Sequence, residues 1–140
     1  EPNPMTEGVD WIRTEDGRVT HPLTLQAMQL SMTMWHTCQD PGLLGRNEYP
    51  DLREMVFPTQ VTSAKLAGAL NSLAYDREQD SGFIVACLKR SLAYLHRALA
   101  ATAKVEAKSL LPPAKTARYR IALFYIREAI LALMKRFRGR

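Results

Sequence analysis

The chain is poor in cysteine and has no long hydrophobic run. Its two cysteines, Cys38 and Cys87, are too few for the disulfide framework of a small secreted protein, so we expect both to be reduced and buried. No apolar stretch approaches the roughly 18 to 20 residues that a membrane span requires, and the N-terminus lacks the regions of a signal peptide. We therefore expect a cytoplasmic protein that does not cross a membrane.

Recognisable catalytic motifs are also missing. The sequence has no P-loop, no dinucleotide-binding glycine fingerprint, no GxSxG and no Glu-x-x-His pair of the di-iron type. The histidines His21, His36 and His96 are scattered, and no second His or Cys pair at ligand spacing accompanies His36 and Cys38. The sequence thus predicts no enzyme activity, no metal site and no cofactor; an enzyme would need a site that no motif reveals.

Charge is divided unevenly along the chain. Residues 1–60 have a net charge of −5 and residues 61–140 a net charge of +10, which together give +5. Clustered Lys and Arg side chains gain affinity for polyanions by releasing the counterions condensed on phosphates. The asymmetry indicates a nucleic-acid partner, although a solvated helix surface that merely keeps the protein soluble would have the same composition.

The apolar pattern predicts an all-α protein, an antiparallel four-helix bundle over residues 22–140 that follows an extension over residues 1–21. In the extension, β-branched and aromatic residues flank Asp16-Gly17, which predicts a small β-hairpin. Helix one is expected to begin near Thr20 or His21, with Pro22 in its first turn, and to end at Gln39-Asp40-Pro41-Gly42.

The other three helices follow from the same periodicity. Residues 43–57 are expected to form a loop, and helix two to begin near Phe57-Pro58-Thr59, with small residues around Gly68 that predict close approach of another helix. Helix three is expected to begin after Asp80 or Ser81 and to stop before Leu111. Helix four is expected from about Ala114 to Arg136 or beyond.

Basic residues of helices three and four form the predicted nucleic-acid-binding surface. They fall outside the apolar stripe of each helix, where they would face solvent. Because no base-reading motif is present, binding is expected to favour shape and backbone over sequence. Tyr94 and Tyr125 are candidates for stacking on bases, with a core or rim position as the alternative. The predicted binding residues are Lys89, Arg90, Arg97, Lys104, Lys108, Arg120, Arg127, Lys135, Arg136 and Arg138.

Two apolar residues of helix four, Phe124 and Leu131, lie among its arginines. If helix four only covered a monomer core, these side chains would be exposed without purpose, so they predict an interface of a homo-oligomer. The alternative is a bundle wide enough to bury them.

From residue 57 onward the sequence resembles a family of small helical proteins. The residues that carry the resemblance are Phe57-Pro58, Gln60-Val61, the stretch from Ala69 to Arg77, Phe83, Leu88, Leu92, Leu95, Leu99, Ile126, Ile130 and Leu133. The superfamily includes the 23S rRNA intervening-sequence proteins and the accessory variability determinant (Avd) proteins of diversity-generating retroelements. The Asn-Ile-Ala-Glu-Gly stretch typical of the first branch stands here as Asn71-Ser72-Leu73-Ala74-Tyr75, so the chain looks more like the Avd branch.

The Avd resemblance implies a basic homopentamer that binds the retroelement RNA and a reverse transcriptase and assists mutagenic cDNA synthesis. Only the basic positions of helices three and four correspond, as a type of surface, and the first candidates are Arg90, Arg97, Lys104, Arg120 and Arg127. A different reading of the same charges is an assembly protein that binds no nucleic acid. Its basic faces would contact acidic partners, including its own acidic first 60 residues.

Overall fold

A computed structural model of the chain describes residues 1–39, 42–45, 48–75 and 78–139. The structure is mostly helical (77%), with four α-helices and a two-stranded antiparallel hairpin in the described ranges. The elements are β1 (Ile12–Arg13), β2 (Val19–Thr20), α1 (Pro22–Gln39), α2 (Pro50–Leu70), α3 (Ser81–Ala107) and α4 (Pro113–Arg138). Short 3-10 turns occur at Pro4–Thr6, Leu43–Gly45 and Asn71–Ala74.

One hydrophobic core joins the four helices. Each helix contributes fully buried side chains to it, for example Met34, Leu66, Leu95 and Ile126. The most extensive contact between helices is that of α2 with α3, and α3 also packs on α4 while α1 packs on α2. The core therefore lies between all four helices, and each keeps one face outward. In the described ranges, no helix has the length and hydrophobicity needed to cross a membrane.

The predicted starts of helices one, three and four are confirmed. Pro22 is the first residue of α1, and His21 Nδ1 accepts a hydrogen bond from the Leu23 N–H at 3.0 Å, which caps that helix end. Asp80 caps α3 by accepting from the Phe83 N–H at 3.0 Å. Gln39 ends α1 as predicted, but the breaker Asp40-Pro41 lies outside the described residues. Asp76 and Arg77, whose charges interrupt the apolar pattern of helix two in the sequence, also lie outside the described residues.

The loop predicted for residues 43–57 is wrong, because α2 begins at Pro50, about two turns before the expected start. Leu52, Met55 and Val56 are buried at helical spacing and belong to the core. The sequence predicts Pro58 at the helix start, whereas Pro58 lies inside the helix and is buried. A proline in a helix interior removes one backbone hydrogen bond, and here the burial of its neighbours holds the helix together across it.

The hairpin predicted in residues 1–21 is confirmed and lies on the helical part of the chain. Gly17 in its turn has φ +87°, a left-handed conformation that glycine adopts without strain. The Asn71 side chain accepts from the His21 N–H at 3.0 Å, and the Asn3 N–H donates to the Ala74 carbonyl at 2.7 Å. Trp11, within the extension, is buried, and its indole N–H donates to the Asn3 carbonyl at 2.7 Å. Residues 1–21 are thus held by hydrogen bonds to the turn that follows α2.

The close helix approach predicted at Gly68 is wrong. Gly68 is exposed, and a Cβ placed on it would have no heavy atom within 4 Å, the helix's own backbone aside. The small residues of α2 are therefore not all in the packed face, and Gly68 has no packing role in the monomer.

Replacing Gly68 with alanine should stabilise the protein by about 0.5–1 kcal/mol, because alanine lowers the conformational entropy of the unfolded chain and meets no atom in the folded one. Urea unfolding of the variant and the parent measures the difference. The matched control is Gly17→Ala in the hairpin turn, which should lower the stability because the positive φ strains any side chain there. A Gly68→Ala variant less stable than the parent would contradict the exposed position.

Both cysteines are free thiols, and only Cys38 is fully buried. Burial raises the pKa of the Cys38 thiol to about 11, although nearby Lys115 opposes the effect. Cys87 is half-buried, so the expectation of burial is wrong for this residue. Cys38 is accordingly a core residue with little thiolate at neutral pH.

Candidate nucleic-acid interface

The ten basic residues predicted to bind nucleic acid all lie on α3, at its end, or on α4. Eight are exposed, and Arg127 and Arg136 are half-buried. Periodicity therefore placed these side chains on the outside of the helices, as expected for residues opposite an apolar stripe.

Half of these cations are paired with carboxylates. The pairs are Arg97 with Glu54 at 2.8 Å, Lys108 with Asp51 at 2.7 Å, Arg120 with Glu106 at 2.5 Å, Arg127 with Glu128 at 2.6 Å and Arg136 with Asp10 at 2.8 Å. A paired cation presents less charge to a phosphate, since its partner carboxylate must first be displaced or tolerated nearby. The basic surface predicted from the sequence is thus partly neutralised.

Three of the carboxylates come from the acidic first 60 residues. Asp10, Asp51 and Glu54 hold cations that lie 43 to 126 positions later in the chain. The two oppositely charged halves of the sequence therefore meet within one molecule, which is the contact that the assembly-protein interpretation included.

One of these pairs is structural. The Asp10 side chain is only 8% exposed, and its two oxygens accept from both terminal nitrogens of Arg136, at 2.8 and 3.3 Å. A buried carboxylate needs such partners, because an unpaired charge away from water is costly. Arg136 thus ties the N-terminal extension to the last turns of α4.

The other five predicted cations have no carboxylate within 4 Å in the described part of the chain: Lys89, Arg90, Lys104, Lys135 and Arg138. Among the described residues from 61 to 139, three further cations share this property and are not among the predicted binding residues: Lys65, Lys115 and Arg118. The unpaired cations available to a polyanion are therefore only half of the predicted ones, together with cations that the prediction did not include.

A groove of about 440 Å³ between α2 and α3 collects two of the unpaired cations. Lys65 enters it from α2, and Arg90, Ala93, Tyr94 and Arg97 line it from α3. Positions 90, 94 and 97 fall on one side of a helix because they are spaced by four and three residues. The packing of α2 on α3 then brings Lys65 beside them.

The arrangement of the groove is partly held by Glu54. Its carboxylate accepts two hydrogen bonds from Arg97, at 2.8 and 3.2 Å, and this pairing raises the pKa of the Arg97 guanidinium. The same guanidinium lies 5.4 Å from the centre of the Tyr94 ring, in the range of a cation–π contact. Arg97 therefore supports Tyr94 from one side, whereas Arg90 and Lys65 keep their charge for a ligand.

These side chains suit the binding of a phosphodiester. A guanidinium and an ammonium provide donors for phosphate oxygens, and a half-buried tyrosine offers a ring on which a base can stack. Among the described residues, no three His, Cys, Asp or Glu side chains lie close enough together to hold a metal ion. The groove thus brings together donors and an aromatic ring that can recognise an anionic ligand.

The remaining candidates lie elsewhere. Tyr125 is exposed on the outer side of α4, far along the chain from the groove residues. Phe124, expected at an oligomer interface, is exposed, whereas Leu131 is half-buried and packs against the core. Of the five first candidates, Arg90 lies in the groove without an ion pair, Lys104 is unpaired outside it, and the other three are paired.

Comparisons with protein-family models, with curated proteins and with solved structures found nothing that matches this chain.

Proposed function

We propose that this protein is a nucleic-acid-binding accessory subunit that holds single-stranded RNA in the groove between α2 and α3. The observation that carries the proposal is the convergence of Lys65, Arg90 and Tyr94 on one groove, with both cations unpaired in the described chain. Five of the other nine predicted cations are paired with carboxylates within the molecule, so the groove offers the best combination of available charge and an aromatic ring.

The proposal assigns a role to each side chain. Arg90 would contact a phosphate through two parallel donors, and Lys65 would supply a second, less directional charge. A base would stack on Tyr94, whose ring is steadied by Arg97. Since none of these contacts reads base edges, we expect affinity for backbone and shape with little sequence preference.

The architecture proposed for this activity is an antiparallel four-helix bundle. Asp51 at the start of α2 pairs with Lys108 just after the end of α3, and Glu106 near the end of α3 pairs with Arg120 near the start of α4. Such pairs support opposite directions for neighbouring helices. We further propose that the protein acts beside a reverse transcriptase in the cytoplasm, the partner that the Avd resemblance implies and a compartment in which two free thiols stay reduced.

A titration with fluorescent single-stranded RNA at graded salt tests the proposal. Each phosphate contact contributes about −0.7 to the slope of log K against log salt for a single strand, so two to four contacts should give a slope between about −1.4 and −2.8. Duplex RNA and single-stranded DNA of the same length show whether the strand and the sugar matter. A flat salt dependence, or no binding near 50 mM salt, would rule out the proposed function.

The second candidate is a protein-assembly subunit that binds no nucleic acid. It is favoured by three exposed apolar side chains on α4, Ile121, Phe124 and Tyr125, and by the use of basic residues in ion pairs within the molecule. Nucleic acid that copurifies and raises the 260/280 absorbance ratio argues against this candidate.

A further inference from the structure

The outward side of α4 is an apolar face that no other part of the described chain covers. Ile121 is 67% exposed, Phe124 is 54% exposed and Tyr125 is 62% exposed. Ala114 and Ala132 extend the same side in both directions, and both are exposed. Residues at these spacings share one side of a helix, so the face runs for about 27 Å along α4.

Two oppositely charged residues on this side of α4 lie at equal distances from the level of Leu123. Arg118 lies five positions before that level and Glu128 five positions after it. Arg118 has no carboxylate within 4 Å in the described chain, and the Glu128 side chain is 54% exposed while it accepts from neighbouring Arg127. A cation and a carboxylate therefore flank the apolar centre at equal distances and with opposite signs.

We infer that this face of α4 pairs with the same face of a second copy of the chain, antiparallel, about a two-fold axis at the level of Leu123. In that arrangement Arg118 of each copy meets Glu128 of the other, which gives two ion pairs. Ile121 meets Tyr125 twice around the centre. The contact is isologous, as expected of a symmetric dimer.

Charge complementarity favours a second copy of the chain, in the antiparallel orientation, as the partner of this face. A parallel pairing of the two helices would place Arg118 against Arg118 and Glu128 against Glu128, and like charges in contact are unfavourable. An anionic lipid surface would attract Arg118 but repel Glu128, so it would not complement both of the charges that flank the apolar centre. The small side chains of Ala114 and Ala132 meet in the antiparallel arrangement and let the helix ends approach each other closely.

The dimer is expected to be weak. A contact made by one helix from each copy is small beside a standard interface, which buries about 800 Å² per partner, so we expect a Kd in the micromolar range. The inference does not depend on nucleic-acid binding, because none of the groove residues lies on α4.

Sedimentation equilibrium between 5 and 200 μM tests the pairing. The expected result is a concentration-dependent species of about 32 kDa, twice the 15.8 kDa of one chain. Arg118→Glu and Glu128→Arg should each weaken the dimer by about tenfold, and the double variant R118E/E128R should restore it. Ile121→Asp should abolish it, and Tyr125→Ser, a milder change, should weaken it. Circular dichroism verifies that each variant is folded.

The matched control is Phe83→Ser, because Phe83 is 56% exposed but lies at the start of α3, and this variant should dimerise like the parent. A monomer up to 200 μM, a species of five chains, or a double variant as weak as the single ones would overturn the inference. Restoration by the double swap is the decisive result, because non-specific association through exposed apolar side chains would not depend on the sign of two charges.

Discussion

Replacing Lys65 and Arg90 together by glutamine should weaken binding of single-stranded RNA by about 60-fold at 50 mM salt. Two phosphate contacts contribute about 1.4 to the slope of log K against log salt, and at 0.05 M salt this corresponds to nearly two decades in affinity. Neither side chain is held in an ion pair in the described chain, so the fold should tolerate both changes. Fluorescence anisotropy with a labelled oligonucleotide measures the loss.

The matched control is the double variant K108Q/R120Q, which removes the same net charge from two exposed residues that are already paired. It should weaken binding by less than about fivefold, because the positive electrostatic potential of the whole protein decreases but no phosphate contact is lost. Equal losses in the two variants would show that net charge, and not the groove, determines the affinity. An unchanged affinity in the groove variant would exclude the groove.

Acid should destabilise the folded protein through His21. Burial lowers the pKa of this imidazole to about 4, from an ordinary value of 6.5; the nearby Asp10 carboxylate opposes the shift, and the Arg136 charge adds to it. Because the unfolded chain takes up the proton first, the stabilising contribution is complete above pH 6.5 and is lost as the pH falls towards 4. The loss should be about 3 kcal/mol in the free energy of unfolding.

The variant His21→Asn isolates this effect, since an asparagine side chain can still accept from the Leu23 N–H but does not titrate. Urea unfolding at pH 7 and at pH 4 should show the parent losing about 3 kcal/mol more than the variant. Equal losses in both proteins would mean that protonation of His21 does not drive the acid transition. His21 Nε2 has no hydrogen-bond partner in the described chain, which is consistent with a neutral, buried ring.

Much of the fold could be predicted from local patterns. The stripe that contains Leu88 and Leu95 identified α3, and the Asp16-Gly17 turn identified the hairpin, because both signals depend on neighbours within a few residues. The first two turns of α2 were missed although Leu52, Met55 and Val56 repeat at helical spacing. Pro58 in the sequence is typical of a helix start, and only burial on the assembled core explains how the helix continues across it.

The candidate site was predictable only in part. Periodicity placed Arg90 and Arg97 outward, but it could not show that Glu54, 43 positions earlier, pairs with Arg97. Lys65 is not among the predicted binding residues. Its position beside Arg90 follows from the packing of α2 on α3, which the sequence pattern does not show. Partners brought together by tertiary packing leave no periodic signal in the sequence, so the division of cations into paired and available ones required the structure.

Photo-crosslinking of bound RNA, followed by mass spectrometry of the modified peptides, tests most directly whether a strand occupies the groove between α2 and α3. The predicted result is a cross-link on Tyr94 or its immediate neighbours on α3, which disappears in the K65Q/R90Q variant. Cross-links confined to Tyr125 and the outer side of α4, with none on the segment from Arg90 to Arg97, would contradict it.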